Sequence, residues 1–218
     1  FTAIYDAFVY KNNLNFPYND NIQIAIGEEG NLSLFAKEIS IKTDITKAQK
    51  TVGAIQNKLG FSVFNTLLLA LCHYDDNRAT IVLAYLVRAF KTGLQIQEYL
   101  ADEYVMRVLE LSRKVSNEAD KMRGFLRFKD INNILISEIE PKCNLVPIIA
   151  EHFEDRFVNE NFIIYDRKRN YSVVPIREFV LELDGKYYTA KEKKPICDNS
   201  ELIFRGFISP DELVFSDE

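Results

Sequence analysis

The sequence is poor in the residues from which metal and thiol sites are built. Its 218 residues include 2 histidines, 3 cysteines and no tryptophan. Cys72, Cys143 and Cys197 are odd in number and far apart, which argues against a disulfide framework, an iron–sulfur cluster or a structural zinc site. We therefore expect no cofactor and no conventional metal site, while an oxygen-ligated magnesium site stays open.

Long apolar runs are missing as well. The longest, around 67–71, is too short to cross a bilayer, and the start of the chain lacks the pattern of a signal peptide. Together with the unpaired cysteines, this favours a protein of the reducing cytoplasm with no membrane partner. Hydrophobic residues make up 47% of the chain, which is enough to bury a sizeable core.

Hydrophobic spacing predicts one domain, 1–218, with a helical lobe at 1–123 and a second lobe at 124–218. Alternation predicts a strand at 35–43, and a weaker strand lies in the IQIAI run of a loop at 12–31. Apolar residues at helical spacing predict five helices in the first lobe, at 1–10, 45–59, 62–71, 80–93 and 96–122.

Beyond Gly124 the hydrophobic period changes to two, and Asn144 is placed to cap a helix. The pattern predicts a strand, strand, helix, strand, strand unit, at 125–128, 134–140, 145–153, 161–165 and 171–176. The remaining segment supplies ragged edge structure. We therefore predict an α+β fold, in which a helical amino-terminal lobe packs with a small, mostly antiparallel sheet and its covering helix.

The net charge of −5 and the pI near 5.3 do not indicate a nucleic-acid binder. Basic residues nevertheless concentrate between 105 and 129, opposed only by Glu110, Glu118 and Asp120. Cations spaced along a helix can follow a phosphate backbone, although a solvated helix face with a Glu110 to Lys114 pair explains them equally. The predicted nucleic-acid contacts of this stretch are Arg107, Arg113, Lys114, Lys121, Arg123, Arg127 and Lys129.

A second basic cluster lies in the turn 166–170, between two predicted strands. Arg167, Lys168 and Arg169 occupy this turn. They either form a solvated hairpin tip or contact phosphate.

His152, Asp155 and Arg156 lie within one turn of the predicted helix that starts at 145. A histidine beside a carboxylate can act as a general base. The alternative is a hydrogen-bonded latch that fixes this helix to the strand between Asn161 and Asp166. No nucleophile or metal motif stands beside the histidine, so the set is predicted as either catalytic or structural.

A weaker pattern joins Asp130, Glu140 and Lys142 in the order of a common nuclease core. The pattern is short enough to arise by chance. His73 precedes two aspartates, but two histidines and scattered cysteines cannot fill a conventional zinc site.

Two runs, LSRKVSNEADKMRGFLRFKD at 111–130 and EPKCNLVPIIAEHFEDRFVNENFIIYDRKR at 140–169, resemble a bacterial family of unknown function, DUF4130, described as a probable DNA metabolism protein. The resemblance implies a role in DNA metabolism or repair beside a radical SAM DNA-repair protein, and some members are fused to a uracil-DNA glycosylase-like domain. Its strongest carriers are Ser112, Arg113, Glu118, Met122, Gly124, Phe125, Phe128, Pro141, His152, Phe153, Arg156, Asn161 and Asp166.

The leading hypothesis from the sequence is an accessory protein that binds DNA or presents it to a partner enzyme. Its first rival is a DNA-processing enzyme, nuclease or glycosylase-like, that uses His152 and Asp155. Its second rival is an adaptor that binds only protein.

Overall fold

A computed structural model describes residues 1–14, 22–26, 39–131, 133–173, 179–183 and 186–190. The chain forms two compact units, Phe1–Ser116 and Asn117–Glu218, whose boundary falls inside one helix. The sequence-based division lay seven residues further along, near the end of that helix. No helix in the described ranges is both long and apolar enough to cross a membrane.

The first unit is helical. Asp44 caps its second helix, because the Asp44 Oδ1 atom accepts a hydrogen bond from the Lys47 backbone N–H at 3.0 Å. Gly60 interrupts the same helix with φ of 80°, a left-handed conformation that glycine adopts without strain. The elements are α1 (Thr2–Leu14), α2 (Ile45–Leu71), α3 (Arg78–Thr92), a short 3₁₀ helix (Leu94–Glu98) and α4 (Glu103–Phe125).

Apolar residues at helical spacing form the core of this unit, as predicted. Ile55, Leu67 and Leu86 are completely buried. Ring packing adds to the core, since Phe8 meets Phe90 edge to face at 5.6 Å between ring centroids.

Three predicted elements of the first unit disagree with its structure. The described parts of the predicted strands, 22–26 and 39–43, are not strands, and 35–38 lies outside the described residues. The helix expected from Ile96 begins at Glu103, because Asp102 accepts hydrogen bonds from the N–H groups of Tyr104 and Val105 at 2.9 and 3.2 Å and so caps α4.

The second unit contains the predicted strand, strand, helix, strand, strand order. The outer pairs β1/β2 and β3/β4 are antiparallel, and the central pair β2/β3 is parallel, because α5 carries the chain back between them. The elements are β1 (Lys129–Ile131), β2 (Ile134–Ile139), α5 (Val146–Arg156), β3 (Asn161–Asp166) and β4 (Tyr171–Val173), followed by a separate hairpin of β5 (Phe179–Leu183) and β6 (Lys186–Ala190).

Two predictions in the second unit were wrong. None of the residues of the predicted strand 125–128 is in a strand, because Phe125 ends α4, where the Leu126 N–H donates to the Met122 carbonyl at 2.9 Å, and β1 begins at Lys129. Asn144 does not cap α5, because its side-chain oxygen accepts a hydrogen bond from the Tyr171 hydroxyl. The last predicted strand extends to 176, and its final three residues lie outside the described ranges.

Four phenylalanines join α5 to the sheet of this unit. Phe128 packs edge to face against Phe153 at 5.1 Å, Phe157 at 5.0 Å and Phe162 at 6.2 Å between ring centroids. Phe153 and Phe162 are each 1% exposed. We call these four residues the phenylalanine cluster, and they make α5 the covering helix that the sequence predicted.

Candidate functional site

Arg169 holds the β3–β4 turn to the loop ahead of α5. Its guanidinium lies 2.8 Å from the completely buried Asp166 carboxylate. The same group donates to the carbonyl oxygens of Pro141 at 3.3 Å and Lys142 at 2.5 Å. Asp166 also accepts the backbone N–H groups of Lys168 and Arg169 at 3.0 and 3.2 Å. Arg169, predicted to contact phosphate, is therefore committed to internal contacts.

Glu118 of α4 also binds this loop, through hydrogen bonds to its backbone. Its two carboxylate oxygens accept the backbone N–H groups of Lys142 at 2.8 Å and Cys143 at 3.1 Å. Burial on its own would raise the pKa of the Glu118 carboxyl, but a hydrogen bond with the Cys143 side chain, the two backbone hydrogen bonds and the charge of Arg169 outweigh it, so this pKa is lowered. We call Glu118, Asp166, Arg169 and the loop 141–143 the loop latch.

Several residues that carry the family resemblance have structural roles in this unit. Glu118, Pro141 and Asp166 belong to the loop latch, and Phe128 and Phe153 belong to the phenylalanine cluster. These parts of the two motif runs therefore specify how the loop and α5 are fixed. They do not by themselves mark a reactive site.

We predict that Glu118→Gln lowers the free energy of unfolding by about 1–2 kcal/mol at neutral pH, because an amide leaves one of the two loop N–H groups without an acceptor. Since folding lowers the pKa of Glu118, its contribution is complete above the unfolded-state pKa and is lost as pH falls through the folded-state value.

Urea unfolding at several pH values measures this effect. The gap between wild type and variant should narrow as the pH falls below the unfolded-state pKa of glutamate, about 4.3. Glu160→Gln, at an exposed position, serves as the control and should change little. A gap that persists unchanged in acid would contradict the role given to the carboxylate.

Cations in the first half of α4 are largely neutralised. Arg107 pairs with Asp75 and Glu110, each at 2.8 Å. Lys114 pairs with Glu110 at 2.6 Å, as the i,i+4 spacing suggested. Arg113 is exposed and makes no ion pair with the described residues.

Three open cations of the second unit lie at the end of α4 and in the residues that follow. Lys121, Arg127 and Lys129 are exposed, and no described carboxylate forms an ion pair with them. Arg123, between them, is engaged by Asp120 at 2.7 Å. We call Lys121, Arg127 and Lys129 the basic segment.

The tip of the β3–β4 hairpin adds two further exposed cations. The Arg167 side chain is 64% exposed and lies 4.0 Å from Glu138, at the limit of an ion pair. Lys168 is exposed beside it. Of the three basic residues predicted in this turn, these two remain accessible.

His152 and Asp155 line one shallow depression on the second unit, together with Arg123, Ile148 and Glu151. Its volume is about 280 Å³. His152 is exposed, and its ring meets the Phe153 ring edge to face at 5.0 Å. In the described part of the chain, no hydrogen bond joins His152 to Asp155.

The other members of the predicted histidine set lie apart from this depression. Arg156 lies over the Phe157 ring at 5.8 Å, Asn161 begins β3, and Asp166 is buried in the loop latch. The loop latch joins the β3–β4 turn to the loop 141–143, so it is not the latch between the His152 helix and this strand that the sequence suggested.

Metal ligands do not gather in the ranges that the structure covers. Within them, no group of three or more His, Cys, Asp or Glu residues is placed to hold a metal ion. Asp130 of the nuclease-like pattern accepts the Asn133 N–H at 3.0 Å and so closes the β1–β2 turn. Cys72 and Cys143 form no disulfide with each other, and Cys197 lies outside the described residues.

The sequence did not predict the loop latch, although two signals pointed toward it. Asp166 and Arg169 stand three residues apart across a turn, which suits an ion pair. Glu118 was singled out by the resemblance, but its partners are backbone groups 24 and 25 residues away.

These features describe an α+β protein with a helical unit and a small mixed sheet, whose surface combines a basic segment with a shallow histidine-lined depression. A family model described as Domain of unknown function (DUF4130) matches residues 76–201. The match covers more than half of the chain, which therefore belongs to the DUF4130 family. No curated protein and no solved structure matches the chain significantly.

Proposed function

We propose that this protein is an accessory factor of DNA repair or DNA metabolism that binds nucleic acid and presents it to a partner enzyme. The observation that supports this most is the basic segment, where Lys121, Arg127 and Lys129 are exposed and form no ion pair with a described carboxylate. Cations with no protein counter-charge retain their charge for phosphate. Arg167 and Lys168 at the hairpin tip extend the same chemistry.

The resemblance of the two motif runs supports the DNA context and suggests the partner. The resemblance implies that a radical SAM DNA-repair protein is a gene neighbour of such proteins and that some of them are fused to a uracil-DNA glycosylase-like domain. In this proposal the radical SAM protein carries the iron–sulfur chemistry. The present chain contributes nucleic-acid binding and positioning.

The test reverses the charge of the basic segment in the triple variant Lys121→Glu, Arg127→Glu, Lys129→Glu. We expect the affinity for a fluorescein-labelled oligonucleotide at low salt to fall at least about ten-fold. The slope of log K against log salt should also become shallower by about 2 for a single strand, because three phosphate contacts are lost. Fluorescence anisotropy across a salt series measures both.

The matched control makes the same charge change at exposed positions of the first unit, in Lys42→Glu, Lys50→Glu, Lys91→Glu. It should keep the wild-type salt slope. Equal losses in both triple variants would show that only net charge matters, and equal wild-type affinity in both would remove the basic segment from the proposal.

A second candidate function is a DNA-processing enzyme, and the shared depression of His152 and Asp155 favours it. An exposed histidine beside two carboxylates can take up a proton from a substrate. The same incubations, resolved on denaturing gels, separate the candidates. Strand cleavage or base release by wild type, lost in His152→Ala with binding intact, would support the enzyme.

The adaptor hypothesis predicts a third outcome of these experiments. The protein would then bind no oligonucleotide even at low salt, where phosphate contacts are strongest. It would still bind the radical SAM partner in a pull-down between the two purified proteins.

A further inference from the structure

Phe125 is the most exposed large hydrophobic residue in the described part of the chain, with 75% of its surface accessible. We propose that its ring is a stacking platform for an unpaired base, so that the basic segment binds single-stranded nucleic acid in preference to duplex. This inference rests on the proposed function and names the kind of strand that the same surface takes.

The position of Phe125 in the fold separates it from the core. Phe128, three residues later, packs against three other rings. Among the described residues, no aromatic ring packs against Phe125, which ends α4 in contact with solvent. A lone exposed apolar side chain is ordinary on a protein surface. Phe125 differs from such a residue in the charges that surround it.

Cations stand on both sides of Phe125 along the chain. Lys121 lies one helical turn earlier, at i−4, and therefore on the same face of α4. Arg127 turns back toward the helix end, where its guanidinium donates to the carbonyl oxygens of Gly124 at 3.5 Å and Leu126 at 3.3 Å. These contacts hold a positive charge beside the last turn without neutralising it.

Acidic residues near the ring do not cancel this charge. Asp120 is engaged by Arg123 at 2.7 Å. Asp130 accepts the Asn133 N–H at 3.0 Å and is the only carboxylate between 121 and 130, where the three cations of the basic segment form no ion pair with a described carboxylate. The segment 121–130 therefore carries a net positive charge, which suits a phosphate-bearing ligand and opposes an acidic protein surface.

An aromatic ring between cations matches the chemistry of a single strand. Proteins that bind unpaired strands combine positive charge for the backbone with aromatic side chains on which bases stack. In a duplex the base faces are already stacked inside the helix, so a surface ring has no face to contact. The preference for a single strand follows from the ring, and the affinity for either form follows from the cations.

The test compares Phe125→Ala with wild type on fluorescein-labelled oligothymidylate and on the duplex of the same strand with oligoadenylate. We expect Phe125→Ala to lose roughly 5-fold to 100-fold in affinity for the single strand and less than about two-fold for the duplex. The salt slope should stay unchanged, because no cation is removed. Phe61→Ala, at a ring 67% exposed in the first unit, is the matched control and should bind both probes as wild type does.

Phe125→Trp provides a direct signal, because the chain contains no tryptophan. The indole keeps a stacking face, so affinity for oligothymidylate should remain within a few-fold of wild type. Its fluorescence should be quenched when the single strand binds and should remain unquenched with the duplex.

The outcomes separate this inference from the proposed function. If the triple charge variant loses binding while Phe125→Ala binds both probes normally, stacking is wrong and the proposed function survives. Equal losses of Phe125→Ala on both probes would overturn the strand preference alone. Absence of wild-type binding to either probe at low salt would overturn both.

Discussion

Asp166→Ala should lower the free energy of unfolding by about 3 kcal/mol, because it leaves the Arg169 guanidinium without its charge partner. Asp166 is completely buried, whereas Arg169 is 23% exposed, so water reaches the stranded cation and keeps the loss near the lower end for buried pairs. The variant also removes the acceptor of two backbone N–H groups in the turn. Urea denaturation measures the change.

Arg167→Ala is the control in the same turn, since Arg167 only approaches Glu138 at 4.0 Å. It should change the free energy of unfolding by less than about 0.5 kcal/mol. A double-mutant cycle between Asp166 and Arg169 should give a clear coupling energy. A loss below about 1 kcal/mol in Asp166→Ala would show that the loop latch is not a major source of stability.

Phe153→Ala should destabilise the second unit by about 3–5 kcal/mol, the usual cost of removing a fully buried ring. Phe153 is 1% exposed, and its ring lies 5.1 Å from that of Phe128 and 6.0 Å from that of Phe157. The substitution would empty the centre of the phenylalanine cluster and loosen α5 from the sheet. Equilibrium unfolding followed by far-ultraviolet circular dichroism measures it.

Phe153→Leu separates lost volume from general intolerance at this position. Leucine keeps much of the apolar volume, so it should cost clearly less than alanine. Equal losses in the two variants would contradict the packing explanation. A loss below about 1 kcal/mol in Phe153→Ala would show that the cluster contributes less than its burial suggests.

Much of the fold could be predicted from hydrophobic spacing. The helices of the first unit and the order of strands around α5 follow from apolar residues such as Ile55, Leu86 and Ile163, which are all completely buried. The parallel pairing of β2 with β3 could not be predicted, because alternation within a strand does not reveal the direction of its neighbour. The prediction that Asn144 caps α5 was wrong for a related reason. Its side-chain oxygen accepts a hydrogen bond from Tyr171, 27 residues away, and not from the adjacent helix.

The candidate site could be predicted less well than the fold. The sequence showed where cations concentrate but not which of them are neutralised. Arg107 meets Asp75 across 32 residues and Arg169 meets the loop carbonyls across 27 and 28 residues, and such distances depend on the folded chain. The exposure of Phe125 could not be predicted either. The sequence placed this residue in a strand, where alternate side chains are buried.

At Lys142 the loop latch binds main-chain atoms. Glu118 binds the amides of Lys142 and Cys143, and Arg169 binds the carbonyls of Pro141 and Lys142, while the Lys142 side chain is exposed. These hydrogen bonds therefore do not depend on which side chain stands at position 142. A substitution at position 142 can therefore change what this surface recognises without removing the hydrogen bonds that fix the loop.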